Sequence, residues 1–346
     1  TVKEMVARIL ATAGPVLATQ GNLNNHIGVP KTLLQLAADH RFAVIEMGAS
    51  GPGEIDYLVH LAKPQVALVT NVLPAHIEGF GSLEGIARAK GEIYSGLRAD
   101  GTAVLNQDEP WAAQWRAVLP CTRVLTCSVE NQSADVFASD IELDIDGCAG
   151  FVLHLPEQRV PVRLQIPGRH NVFNAIAAAA CAHAVGIEAT AIAAGLETMQ
   201  GVTGRMQVKA GAKGARIIDD TYNANPASMK AAIDVLAERD GRRVLVVGDM
   251  GELGVDAARM HREVGTYASD RGIDLLLATG ELSAHVVAGF AGDACLLPDR
   301  QALAERLLAE LSNDVTALVK GSRSAGMEEV VARVVATEEG AECFTG

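Results

Sequence analysis

Short β-branched and aliphatic runs alternate along the chain with Ala- and Leu-rich stretches of helical character. Phe42-Ala43-Val44-Ile45, Gln65 to Thr70, Ala103-Val104-Leu105, Val244 to Val247, Leu275-Leu276-Leu277 and Thr316 to Val319 read as strands. This alternation predicts an α/β fold of βαβ units on mostly parallel sheets. Residues 136 to 166 break the rhythm. They have no helical period, and the runs Ser139 to Leu143, Phe151 to Leu155 and Val160 to Leu164 are separated by Asp146-Gly147 and Pro156-Glu157 turns, which predicts a small antiparallel subsheet. A long helix then starts near Gly168-Arg169-His170-Asn171 and runs through alanines to His183. The segment Gly201-Val202-Thr203-Gly204-Arg205 carries two glycines and no core period, so it reads as a linker between a domain of residues 1–205 and a second α/β domain of residues 206–346.

Length and charge narrow the function. A chain of 346 residues exceeds one hydrophobic core, and 49% apolar against 21% charged residues is a globular composition. The net charge of −13 argues against nucleic-acid or anionic-membrane partners, so a polyanionic ligand must meet locally placed cations. No apolar run approaches the roughly 20 residues of a membrane-spanning helix. The 6 cysteines include no C-x-x-C pair, which favours reduced packing thiols and a cytoplasmic protein over a zinc or dithiol site. Position 1 is Thr, and the expectation is of a piece of something longer.

Several polar groups fall at predicted strand ends, where ligands of open α/β sheets gather. Glu46 ends the first apolar run, and His76 lies in the Gly-flanked loop after Gln65 to Thr70; each is a metal-ligand candidate, competing with an ordinary solvated side chain. Lys90 sits between Arg88 and Glu92, either on a wet helix face or as a lysine of lowered pKa open to modification. His170, Asn171 and Asn174 cluster at the first turn of the Ala-rich helix, suited to a ligand or to simple N-capping by Asn171. Arg205 could grip a phosphate or make an interdomain salt bridge. The polar run Asp219-Asp220-Thr221-Tyr222-Asn223-Ala224-Asn225-Pro226 is denser than a cap requires. Lys320-Gly321-Ser322-Arg323-Ser324 offers an anion-binding nest at a helix start. The loop Gly248 to Gly254 lacks G-x-G-x-x-G spacing, and no G-x-x-x-x-G-K-[ST] phosphate loop occurs.

Taken in order, these segments resemble the Mur ligase family from Thr1 to about Arg333. Thr1-Val2-Lys3-Glu4-Met5 is similar to the segment directly after that family's phosphate loop, so the resemblance implies an absent amino-terminal uridine-nucleotide domain and phosphate loop. It implies a central ATPase-like domain and a Rossmann-like carboxy-terminal domain. By the same resemblance, Glu46 and His76 match magnesium ligands, and Lys90 matches a carbamylated lysine beside the metal. His170, Asn171 and Asn174 match the G-x-H-N-x-x-N element at the adenine, while Arg205 and Asp220 match ATP-contacting positions. The D-D-x-Y-N-A-N-P run, with Asn22, Asn24 and Asn25, the Glu78-Gly79-Phe80-Gly81 loop and Lys320-Gly321-Ser322-Arg323, points to the branch that adds D-alanyl-D-alanine. Tyr222, Asn223, Asn225, Lys320, Ser322 and Arg323, with the three asparagines, are then implied to meet substrate.

The implied reaction joins D-alanyl-D-alanine to UDP-N-acetylmuramoyl-tripeptide, with ATP and Mg2+, through an acyl phosphate. Carboxylate and γ-phosphate are both anions, so cations must neutralise charge and align the transfer. The resemblance further implies closure of one domain over the other near Arg205 and a monomer. Without a phosphate loop, little or no turnover is expected of this chain alone. Two other readings compete: an inactive fragment or scaffold of such a ligase, and a nucleotide-binding oxidoreductase, the latter weakened by the missing G-x-G-x-x-G.

Overall fold

The computed structural model describes residues 1–73, 77–121, 123–145, 147–201 and 203–336. The chain divides into two compact units, one of Thr1–Asp144 with Cys148–Gln200, the other of Ile145–Gly147 with Gly201–Gly346.

The first unit runs α1 (Val2–Ala11), β1 (Val16–Ala18), α2 (Gly28–Leu33), β2 (Phe42–Val44), α3 (Glu54–Ala62), β3 (Val66–Val69), α4 (Ile77–Phe80), α5 (Leu83–Gly91), β4 (Thr102–Asn106), α6 (Ala112–Arg116), β5 (Arg123–Ser128), β6 (Val136–Leu143), β7 (Cys148–Leu155), β8 (Gln158–Pro167), α7 (His170–Ala184) and α8 (Ala189–Glu197). β1 and β2 form a parallel pair of their own, and β3-β4-β5-β6-β7-β8 form a six-stranded sheet. Its first four strands are parallel, and β6, β7 and β8 are antiparallel. The antiparallel strands predicted at residues 136 to 166 thus exist and continue the parallel sheet. Their hairpin at Pro156-Glu157 closes in two residues, with Glu157 at φ 66, the left-handed geometry of a tight hairpin turn. α7 is apolar nearly all round, with Ala175 to Ala180 buried, and it packs against α1, α8 and the sheet. A helix buried on every side needs small residues, which explains the alanine run.

The second unit runs β9 (Gln207–Ala210), β10 (Arg216–Asp220), α9 (Pro226–Ala237), β11 (Arg242–Val247), α10 (Ala257–Asp270), β12 (Leu275–Thr279), α11 (Ser283–Gly289), β13 (Asp293–Leu297), α12 (Arg300–Glu310), β14 (Val315–Lys320) and α13 (Glu328–Val334). The sheet order is β13-β12-β11-β14-β10-β9, parallel except for the edge strand β9. β12 and β14 are buried at every position because residues of α9, α10 and α11 cover one face of the sheet and residues of α12 and α13 the other. The strand order reverses between β11 and β14, so their carboxyl ends open on the position where doubly wound sheets bind ligands.

Among the described residues, no helix is long and apolar enough to cross a membrane.

Candidate active site

In the first unit the structure brings Glu46 and Asn24 together. Glu46 lies two residues past β2, its backbone N–H donating to Thr19 Oγ1 at 3.0 Å. Asn24 Nδ2 donates to Glu46 Oε1 at 2.9 Å, and the Asn24 carbonyl accepts from Gly48 N–H at 2.8 Å. One carboxylate oxygen is therefore oriented by an amide, and among the described residues no hydrogen bond occupies Oε2. Such an oxygen is the hard donor a magnesium ion takes. Asn25 does different work: its Oδ1 accepts from Ile27 and Gly28 N–H and starts α2. The carbonyl of Asn22 accepts from Asn24 N–H at 2.7 Å, shaping the same turn.

Lys90 projects from the last turn of α5, and its Nζ donates to the Asn71 carbonyl at 2.7 Å, just beyond β3. Burial holds its pKa below the ordinary lysine value, with the Glu109 carboxylate acting in the opposite direction. Glu109 is itself pushed up by burial, against the Val72 N–H bond to its Oε1 and the charge of Lys90. A lysine of depressed pKa is a nucleophilic amine. His76 lies outside the described residues, and among those described no three His, Cys, Asp or Glu side chains are grouped to hold a metal.

The His170 cluster opens α7. Asn171 is buried and sits inside the helix, where the N-cap position belongs to Arg169, which makes no side-chain cap bond. Its Nδ2 donates to the Pro167 carbonyl at 2.8 Å, while its Oδ1 accepts from Asn174 Nδ2 at 2.8 Å. N-capping by Asn171 is thus not what the structure shows. Asn171 instead orients the amide of Asn174.

In the second unit, Arg205 lies with its guanidinium carbon 4.1 Å from the Tyr222 ring centroid, a cation–π stack. Tyr222 N–H donates to the Gly204 carbonyl at 2.9 Å. Successive strand residues face opposite sides of a sheet, and the two aspartates at the end of β10 follow that rule. Asp219 takes Lys209 Nζ at 2.7 Å and Thr221 Oγ1 at 2.7 Å, whereas Asp220 takes Lys320 Nζ at 2.5 Å. Asn225 caps α9, with Asn225 and Ser228 forming a reciprocal box and Pro226 in the first turn. Asn223 Oδ1 accepts from Ala224 N–H.

The nest expected at Lys320 to Ser324 is built differently. Lys320 is buried against Asp220, and Arg323 pairs with Glu328 at 3.0 Å on the surface. Both cations have a carboxylate partner, Lys320 in the interior and Arg323 on the exposed surface. Ser322 is buried, donates its N–H to the Asp249 carbonyl and shares a hydroxyl contact with Ser324.

A cleft of ≈ 530 Å³ at the carboxyl ends of β11, β12, β13 and β14 was not found from the sequence. Thr279, Asp299, Arg300, Ser324, Glu329 and Arg333 line it, with Asp249. Arg300 donates to Glu329 Oε2 and to the Ala325 carbonyl. Asp249 ties three of these loops together: its Oδ1 accepts from Ser283 N–H and Oγ, and its carbonyl takes Ser322 N–H. The loop bearing Asp249 is pinned by His261, whose Nδ1 meets the Ala257 carbonyl and whose Nε2 accepts from Met250 N–H. The sequence signal was the position of Thr279-Gly280 and Pro298-Asp299-Arg300 directly after strands.

Two α/β units with polar loops gathered at the carboxyl ends of their strands define an architecture that binds ligands at its strand ends, and comparison with known proteins identifies its class. The Mur ligase middle domain matches residues 1–182, and the Mur ligase, glutamate ligase domain matches residues 204–323. The chain belongs to the Mur ligase family. It is similar to the UDP-N-acetylmuramoyl-tripeptide--D-alanyl-D-alanine ligase of Escherichia coli (strain K12), 46% identical over 333 residues that cover 96% of this chain and 73% of that protein. The ligase of the same name from Bacillus subtilis (strain 168) is 36% identical over 341 residues, covering 96% of this chain and 72% of that one. Among solved structures, MurF from Acinetobacter baumannii superposes with a TM-score of 0.89 at 38% identity, covering 96% of this chain and 73% of that chain. The MurF ligase of Thermotoga maritima in complex with ADP gives 0.83 at 26% identity, over 96% and 76%.

Proposed function

We propose that this chain is the catalytic part of a ligase that joins D-alanyl-D-alanine to UDP-N-acetylmuramoyl-tripeptide in peptidoglycan precursor synthesis, using ATP and an acyl phosphate. The observation that carries the reading is 46% identity over 96% of the chain to a ligase of that name. An oxygen of the tripeptide carboxylate attacks the γ-phosphorus of ATP and ADP leaves. The amine of the dipeptide then attacks the acyl carbon, phosphate departs, and the amine gives up a proton. Mg2+, when bound, offsets the charge of the phosphates.

In this reading Glu46, aimed by Asn24, offers Oε2 to the metal, with His76 as its second ligand. Lys90 acts from its partly buried position as an amine that takes up carbon dioxide, with loss of a proton, to become a carbamate. Asn174, aimed by Asn171, and His170 read the adenine. Arg205 and Asp220 act on the phosphates and sugar, and the cleft at Thr279 and Arg300 seats the dipeptide, whose carboxylate suits a guanidinium and whose ammonium suits Asp299. Residues 1–205 then supply most of the groups for ATP, while residues 206–346 add Asp220 to the nucleotide and carry the dipeptide cleft. Cys121 and Cys127 are free, buried thiols, in keeping with a cytoplasmic enzyme, which we take to act as a monomer.

The test is ADP release in a chain extended to the full length of the relatives. Release should require UDP-N-acetylmuramoyl-tripeptide and D-alanyl-D-alanine together. Release that ignores either substrate would overturn the reading.

A further inference from the structure

Family resemblance groups Lys320 with the substrate-contacting residues, and its surroundings point elsewhere. Lys320 ends β14, directly across the parallel pair from Asp220 at the end of β10. It is 3% exposed and does not line the cleft. Its Nζ donates to Asp220 Oδ2 at 2.5 Å and to the Asn223 carbonyl at 2.8 Å. The other oxygen of Asp220 accepts from Met206 N–H at 3.1 Å. One ammonium therefore joins the end of β14, the end of β10 and the loop beyond it, and through Asp220 it reaches the residue after Arg205. Arg205 in turn rests on Tyr222 of that same loop.

A buried ammonium with a carboxylate and a carbonyl in place has no reason to leave them for a neutral or zwitterionic substrate. Breaking such a pair leaves an uncompensated charge out of water. Its geometric effect is to fix where Asp220 points and to hold the Arg205-Met206 segment against the Tyr222 loop.

We propose that Lys320 is a positioning residue: it holds Asp220 and, through Met206, the seat of Arg205, and so acts on the nucleotide through them without touching the dipeptide. This rests on the assignment of Asp220 and Arg205 to ATP made above.

The test compares Lys320→Met, Lys320→Arg and the double variant Asp220→Asn with Lys320→Met, each in the full-length chain. Lys320→Met should raise the KM for ATP about tenfold or more while the KM for D-alanyl-D-alanine stays within about twofold, and Lys320→Arg should recover most of the loss. Amide hydrogen exchange at Met206 should quicken about tenfold in Lys320→Met, a readout that stands even in a chain without ligase activity. Should Lys320→Met fail to fold, the double variant, which removes both buried charges, carries the same KM comparison against Asp220→Asn alone: the two should match, since Lys320 works through Asp220. A raised KM for the dipeptide with that for ATP unchanged, or unaltered exchange at Met206, would overturn the proposal. Loss of dual substrate dependence in the parent enzyme would instead overturn the assignment it rests on.

Discussion

Lys90 and Lys320 are both lysines beside the carboxyl end of a sheet strand, and they have opposite surroundings. Lys320 faces Asp220 at ion-pair distance with a carbonyl beside it, so its charge is matched and its position fixed. Lys90 has one carbonyl at 2.7 Å, and burial dominates over the attraction of Glu109, so its pKa falls. A matched charge in a protein interior becomes a structural tie, and an undermatched one becomes a reactive amine. Under the two proposals the same residue type therefore has two purposes, according to whether a carboxylate lies at ion-pair distance.

The sharpest way to break this comparison is to delete each amine. Lys90→Ala should lower ligase turnover by roughly 10²–10³ while leaving the thermal midpoint nearly unchanged, as expected for a group acting on reaction charge. Measured kcat near that of the parent would remove Lys90 from the chemistry and leave it a structural contact to Asn71. Lys320→Met should instead cost about 3–5 kcal/mol in stability by denaturant unfolding of the second unit, with Asp220→Asn in the same chain recovering part of it.

His261 sharpens the contrast from a neutral group. Its Nε2 must be unprotonated to accept from Met250 N–H, and burial lowers its pKa, with Asp249 raising it and His285 lowering it further. His261→Leu leaves that amide without a partner, at a loss of about 1–3 kcal/mol. Because the folded pKa lies below the unfolded value of about 6.5, the contribution is complete above that pH and falls away as the pH drops through the folded pKa. The stability gap between parent and variant should therefore narrow in acid, and a gap independent of pH would contradict the assigned tautomer.

Smaller effects are expected at the second unit's surface. Asn225→Ala removes the α9 cap and should cost about 1 kcal/mol. Arg323→Ala breaks only an exposed pair with Glu328 and should shift stability by less than about 1 kcal/mol, with no change in the KM for ATP. A large Arg323 effect on substrate binding would restore the anion nest read from the sequence.

Much of the fold was legible because burial on both faces writes continuous apolar runs. β11, β12 and β14 are such strands, and the alanine run of α7 marks a helix enclosed by neighbours. β1 is three residues long, β5 carries Arg123, Thr126 and Ser128, and β13 is a half-buried edge, so none has a run to read. The continuation of the parallel sheet into β6 depends on pairing between Cys127-Ser128 and Val136-Phe137, which no local pattern encodes. At the site, residue types and order pointed to Glu46, Lys90 and Asp220. Their partners came from contacts distant in sequence: Asn24 on Glu46, Asn71 on Lys90, and Lys320 on Asp220. Lys320 looked like a free cation because a sequence carries no record of which lysine meets which aspartate.

The contrast between the two lysines is tested most directly by chemical rescue in the full-length ligase, with acetate or another short carboxylic acid added to Lys90→Ala and to Lys320→Met under the same substrate conditions. A carboxylate standing in for the carbamate proposed at Lys90 should restore part of the turnover of Lys90→Ala and none of that of Lys320→Met. Rescue of both, or of neither, would contradict the assignment of one lysine to chemistry and the other to position.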